Sequence, residues 1–170
     1  MVTDIPALLR GAGAVEYGSF VLASGATSDY YLDIKTAVTD PVLLRKIGEE
    51  IARKAIFDAV AGIAVGGIAI AVATSFASDK PYAIIRSSDK THGKSGRLIG
   101  KVDGKRVLLV EDVTTSGGSA LRGIEVLRSC GATVDTVVTV VDRQAGAHER
   151  LGAAGIRLVS LATTEQILEP

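Results

Sequence analysis

Val107-Leu108-Leu109-Val110-Glu111-Asp112-Val113-Thr114-Thr115-Ser116-Gly117-Gly118-Ser119 is the stretch on which the reading of this chain turns. Four apolar residues predict a strand buried on both faces, and two carboxylates follow where that strand should emerge at a sheet edge. A run of hydroxyls and glycines then leads into residues 120–130, where Ala120, Leu121, Ile124 and Leu127 form a helical stripe and Gly131 takes the C-cap. The pattern is strand, acidic pair, small polar loop, helix.

Such a loop suits a phosphate monoester. Glycines let the backbone close in, the first N–H groups of the helix point outward, and Thr115, Ser116 and Ser119 add hydroxyl donors. Glu111 and Asp112 would repel that phosphate, so they accept hydrogen bonds from sugar hydroxyls or hold a hard cation, directly or through water. The ligand implied is a ribose 5-phosphate. No lysine follows the glycines, as a nucleoside triphosphate loop requires, and the three spaced glycines of a dinucleotide fingerprint are missing.

The thirteen residues from Val107 to Ser119 resemble the phosphoribosyl pyrophosphate motif of the type I phosphoribosyltransferases. That resemblance implies an α/β fold with a mainly parallel central sheet flanked by helices and a small N-terminal hood. It also assigns Glu111, Asp112, Val113, Thr114, Thr115, Ser116, Gly117, Gly118 and Ser119 to phosphoribosyl pyrophosphate, with Mg²⁺ held near Glu111 and Asp112 through water or substrate.

Composition sets the bounds. A chain of 170 residues is long enough to bury one sizeable core, and 19 basic residues balance 19 acidic ones, so no bulk charge recruits nucleic acid or an anionic membrane. The single cysteine, Cys130, excludes an intramolecular disulfide, and no signal peptide is apparent, which together lead to the expectation of a cytoplasmic protein. Residues 59–77 carry no charge and are long enough to span a bilayer. Their Ala and Gly content and the Gly66-Gly67 break instead predict a short strand followed by a helix.

Upstream, Asp4 and Pro6 predict a first short helix, and Asp40-Pro41 opens a clear one with Leu43, Leu44, Ile47 and Ile51 on its apolar face. Between them, residues 17–33 read as two extended segments around a Ser-Gly turn and hold four of the chain's seven Phe and Tyr residues. These rings serve either a sheet face or a planar base. The Gly66-Gly67 pair between strand and helix serves either close packing or an anion. Residues 81–85 predict a further strand, and beyond Arg86 lies a polar stretch carrying Lys90, His92, Lys94 and Arg97 with little to bury. A valine-rich strand over 133–141 ends in Asp142-Arg143, residues 147–153 predict a short helix in which His148 is a surface residue, and 156–161 a last strand.

Three more of these segments are similar to the orotate phosphoribosyltransferases. Phe20 to Tyr31 matches their N-terminal segment, whose aromatic pair is represented by Tyr30 and Tyr31. Arg86, Lys90, His92 and Gly93 match their mobile loop, and Asp142-Arg143-Gln144 matches the segment whose arginine contacts orotate. The resemblance implies transfer of ribose 5-phosphate from phosphoribosyl pyrophosphate to orotate, giving orotidine 5′-monophosphate and pyrophosphate in UMP synthesis. By it, Lys90, Arg86, His92 and Asp112 are catalytic, Arg86, Lys90 and His92 hold pyrophosphate, and Thr115, Arg143, Tyr30 and Tyr31 hold orotate. It further implies a homodimer in which loop 86–97 reaches the neighbouring site, and one domain over 1–170 with the hood in 1–35. Ala23, Gly66 and Ser87 depart from residues common in relatives, which leaves two alternatives open. One is transfer to another base, and the other a non-catalytic sensor of phosphoribosyl pyrophosphate.

Overall fold

Residues 3–21, 25, 27–87 and 96–169 are described by a computed structural model. Along them run α1 (Ile5–Gly11), β1 (Val15–Val21), β2 (Thr27–Leu32), α2 (Ile34–Ala37), α3 (Pro41–Ala52), β3 (Ala59–Ile63), α4 (Gly66–Ser78), β4 (Tyr82–Ile85) and β5 (Leu98–Ile99). The second half holds β6 (Val107–Thr114), α5 (Gly118–Ser129), β7 (Thr136–Asp142), α6 (Ala147–Ala153), β8 (Arg157–Thr163) and α7 (Thr164–Leu168).

Local chemistry sets the helix starts. Asp40 Oδ1 accepts from the backbone N–H groups of Val42 and Leu43 at 2.9 and 2.8 Å, with Pro41 at the first helical position of α3. Asp4 caps α1 in the same way through Ala7 N–H. The apolar face of α3, formed by Leu43, Ile47 and Ile51, is buried.

Six strands form one sheet in the order β5-β4-β3-β6-β7-β8, parallel throughout except for the antiparallel edge strand β5. Even-numbered β6 residues Leu108 and Val110 share a core with α1, α3 and α4, whereas Val107 and Leu109 share one with α5 and α6. Period-two alternation thus feeds both faces of a doubly wound sheet. The chain reverses its direction of winding between β3 and β6. Such a switch point opens a crevice at the carboxyl ends of the strands.

The uncharged run 59–77 is divided as composition predicts, into buried β3 and α4, and among the described residues no helix is long and apolar enough to cross a membrane. Helix α4 lies unusually close to α3, because a Cβ on Gly48 would sit 2.6 Å from the Ala73 carbonyl carbon. Gly48→Ala should therefore cost about 1–3 kcal/mol of stability. An unchanged urea midpoint would show that the two helices can part without penalty.

Strands β1 and β2 form a separate antiparallel pair with Tyr17 opposite Tyr30 and a bulge between Tyr17 and Phe20. Two elements escape the sequence reading, the four-residue α2 and the two-residue β5. The latter runs antiparallel to β4, Ile84 pairing with Ile99 and Ile85 with Leu98.

Candidate active site

β6 does not end at its acids. It continues to Thr114, held by pairing of Val113 with Val141 and Thr114 with Asp142, so Glu111 and Asp112 are consecutive strand residues and face opposite sides of the sheet. On the α5 side Glu111 is 6% exposed, and Oε1 is buried without a hydrogen-bond partner among the described residues. Burial, with the charge of Asp112 second, pushes its pKa up to about 7, against the pull of Ser119, Thr114 and Arg122.

That shift has a sign. Between the ordinary 4.5 and about 7 the folded chain holds a proton that the unfolded chain has released, so stability falls as pH rises through this window. Glu111→Gln cannot ionise. Its stability relative to the parent should therefore rise between pH 5 and pH 8 by on the order of 3 kcal/mol, read from urea midpoints. A difference that stays flat with pH would contradict the buried carboxyl.

On the opposite side, Asp112 Oδ2 lies 2.9 Å from Lys35 Nζ, contributed by α2. Asp112 chiefly, then Tyr31 and Asp33, hold the Lys35 ammonium above its ordinary pKa, although burial pulls it down. The backbone of Gly66 lies directly against the Asp112 carboxylate, and any Cβ there would overlap it. The loop from Ala64 to Gly67, with a cis peptide between Ala64 and Val65, is thus pressed against the acid that Lys35 also reaches.

The loop after β6 turns at Gly117, whose φ of 75° is left-handed, and releases the N-terminus of α5 with no side-chain cap. That leaves N–H groups at Gly118 and beyond without a side-chain partner, the arrangement by which a helix N-terminus attracts an anion. Two guanidinium groups stand beside it. A Cβ on Gly118 would meet Arg150 Nη1 at 3.3 Å and Arg122 Nη1 at 3.5 Å. Beside this end lies a cleft of about 120 Å³, with Ala64, Arg86, Ser87, Arg97, Ser119 and Arg122 in its wall.

Arg86 follows directly on β4. Its backbone N–H donates to Arg97 O at 2.7 Å and its Nη1 to Gly96 O at 3.2 Å, while Arg97 Nη2 donates to Ser87 O. Lys90, His92 and Gly93 lie outside the described residues, as does Ala23. Arg143 follows β7 at the same edge, its N–H donating to Thr114 O at 2.9 Å. Asp142, buried before it, accepts from Gln144 N–H and stands 3.4 Å from Nε2 of the exposed His148.

The aromatic pair divides. Tyr30 packs on the core, whereas Tyr31 stays 46% exposed with its ring 5.6 Å from that of Phe20. Sequence reasoning missed Lys35, Arg122 and Arg150. The helical interval from Ser119 to Arg122 was an available signal for the second, but nothing local marks the other two.

The donors suit Mg²⁺, being hard oxygens that include a buried, unpartnered Glu111 Oε1. Because the carboxylates face opposite sides of one strand, a single ion would take at most one directly and draw its other ligands from water and substrate.

A model of the phosphoribosyl transferase domain matches residues 35–154. The chain is 57% identical over 169 residues to the orotate phosphoribosyltransferase of Methanoculleus marisnigri, covering 99% of each. The crystal structure of orotate phosphoribosyltransferase from Aeropyrum pernix superposes with a TM-score of 0.82 at 38% identity, covering 97% of this chain and 96% of that one. Orotate phosphoribosyltransferase from Mycobacterium tuberculosis H37Rv, solved in complex with 5-phospho-α-D-ribosyl 1-diphosphate, superposes at 0.79 with 28% identity, covering 97% and 99%.

Proposed function

The chain belongs to the orotate phosphoribosyltransferase family, and we propose from that premise how its own residues transfer ribose 5-phosphate from phosphoribosyl pyrophosphate to orotate. The observation that carries the proposal is the conjunction at the switch point. An uncapped helix N-terminus for the sugar's phosphate lies one short loop beyond the last residues of β6, in which Glu111 and Asp112 face opposite sides of the sheet.

Thr115 to Ser119 receive the 5-phosphate through backbone N–H groups and hydroxyls, with the positive field of Arg122 and Arg150 behind them. Val113 and Thr114, the last two residues of β6, lead into this cradle. Glu111 and Asp112 accept from the ribose hydroxyls, which fixes the anomeric carbon. As the C1–O bond to pyrophosphate lengthens, the ring gains positive charge and the departing group gains negative charge. Asp112 steadies the ring, and Arg86, Lys90 and His92, with the N–H groups of the loop before α4, take up the leaving charge. Arg143 and Thr115 position orotate so that its ring nitrogen forms the new bond to C1 as its proton passes to the departing pyrophosphate, with the exposed ring of Tyr31 and the neighbouring Tyr30 against its plane. Bound Mg²⁺ would neutralise diphosphate charge, with Glu111 or Asp112 holding it through water.

In this reading the protein is a cytoplasmic homodimer in pyrimidine synthesis, and loop 86–97 reaches the partner's site. Purified protein with phosphoribosyl pyrophosphate and Mg²⁺ should consume orotate absorbance and leave adenine, hypoxanthine and uracil unchanged. Consumption of a purine, or of no base at all, would contradict it.

A further inference from the structure

A groove of about 540 Å³ opens at the amino ends of the parallel strands, the edge of the sheet away from Asp112 and Arg143. Separate stretches of chain supply its wall: Arg53 to Ile56 between α3 and β3, Arg106 before β6, Asp135 and Thr136 at the start of β7, and Arg157 at the start of β8. Arg106 and Asp112 lie on one extended run, so about 20 Å separates this groove from the acids at the other edge.

Its charge is one-sided. The whole chain balances 19 basic residues with 19 acidic ones, yet the groove gathers Arg53, Lys54, Arg106 and Arg157 around one acid, Asp135. Glu50 pairs with Arg53 at 2.6 Å, whereas Arg106 Nε meets Asp135 Oδ2 only at 3.5 Å. Lys54 and Arg157 have no ion pair among the described residues. Arg157 is nonetheless fixed in place, because its Nη2 donates to Lys54 O at 3.0 Å and its backbone N–H to Asp135 O at 2.9 Å. Like charges gathered in one concavity repel each other, and a bound anion removes that cost. A guanidinium held in position presents its fork of N–H groups to phosphate oxygens.

The remaining wall is of two other kinds. Ile56 is 81% exposed, with Ala55 beside it, which makes an aliphatic ledge. The Asp135 carboxylate accepts the Thr136 hydroxyl at 2.8 Å on Oδ1 and keeps further acceptor positions for sugar hydroxyls. Cations for phosphates, an acid for a ribose and an apolar ledge for a base are together the contacts of a nucleotide, and the volume falls within the range of small-molecule sites.

We propose that this groove binds a nucleoside triphosphate, with its phosphates on Lys54, Arg106 and Arg157, its ribose against Asp135 and its base on Ile56. The site is distinct from the crevice at the carboxyl ends of the strands and does not depend on the reaction proposed there.

Amide NMR of the nitrogen-15-labelled full chain, titrated with UTP at low salt, tests this and sees both edges of the sheet at once. The amides of Ile56, Arg106, Asp135 and Arg157 should shift along one saturating curve, separate from any shift of residues 115–119. Lys54→Glu should raise the dissociation constant of that curve about tenfold by meeting the phosphates with a like charge. Arg157→Glu should raise it about a hundredfold, since the fixed fork is lost as well. Should Arg157→Glu fail to fold, Lys54→Glu decides, because its exposed side chain makes no hydrogen bond or ion pair among the described residues. Uridine should leave the groove amides unmoved, and tripolyphosphate should shift Arg157 but not Ile56 and bind more weakly than UTP. Shifts confined to residues 64–67 and 115–119 would put the nucleotide in the other crevice and overturn the proposal. Groove shifts that neither variant weakens would overturn the phosphate contacts. Tripolyphosphate that binds as tightly as UTP would overturn the ribose and base contacts.

Discussion

Asp112→Asn should lower kcat/KM for phosphoribosyl pyrophosphate by about 10²–10³, equivalent to some 3–4 kcal/mol of transition-state stabilisation. Asparagine keeps the size of the side chain, so Gly66 still fits against it, but it removes the negative charge that in the proposed reaction faces the developing positive ring. Stability should change far less. The ion partner Lys35 is 63% exposed, and exposed pairs contribute about 1 kcal/mol or less. Steady-state kinetics beside urea unfolding separates the two effects. A large loss of stability with kinetics almost intact would make Asp112 a structural residue and remove it from the mechanism.

Lys90→Ala should lower kcat by about 10²–10³ with the melting temperature unchanged, because an ammonium at the departing pyrophosphate acts mainly once its charge has accumulated. Arg86 and Arg97 fix where the segment bearing Lys90 leaves and rejoins the sheet, beside the cleft that Ser119 and Arg122 line. Mixing the two variants asks whose site the loop serves. If it reaches the partner, a Lys90→Ala protomer with an Asp112→Asn partner contains one intact site, and random assortment should recover about a quarter of parental activity. If each loop serves its own protomer, the mixture stays as inactive as its components.

Much of this arrangement was legible because it is local. The hydrophobic strand, the hydroxyl-glycine loop and the stripe of α5 are contiguous in sequence, and Asp40-Pro41 announces α3 by the same chemistry that caps it. The end of β6 was misjudged because the apolar run stops at Val110, whereas backbone pairing with β7 carries the strand on to Thr114. That continuation separates Glu111 from Asp112 across the sheet and gives them unlike surroundings, one desolvated, the other paired with a cation. Lys35 was invisible for another reason. It stands on a four-residue helix, and only tertiary folding brings it to Asp112. Arg150 likewise arrives from α6, more than thirty residues away in sequence from the loop it flanks. His148 was placed correctly at the surface, but its approach to buried Asp142 depends on how β7 and α6 meet.

In the proposed reaction the phosphate of a sugar sits on the amino end of α5 while Glu111 and Asp112 of β6 face its ring. A crystal of the protein soaked with phosphoribosyl pyrophosphate and Mg²⁺ tests this most directly. The 5-phosphate should lie within hydrogen-bond distance of backbone N–H groups between Thr115 and Ser119, with the ribose hydroxyls directed at Glu111 and Asp112. A 5-phosphate bound elsewhere, with those N–H groups left to water, would contradict it.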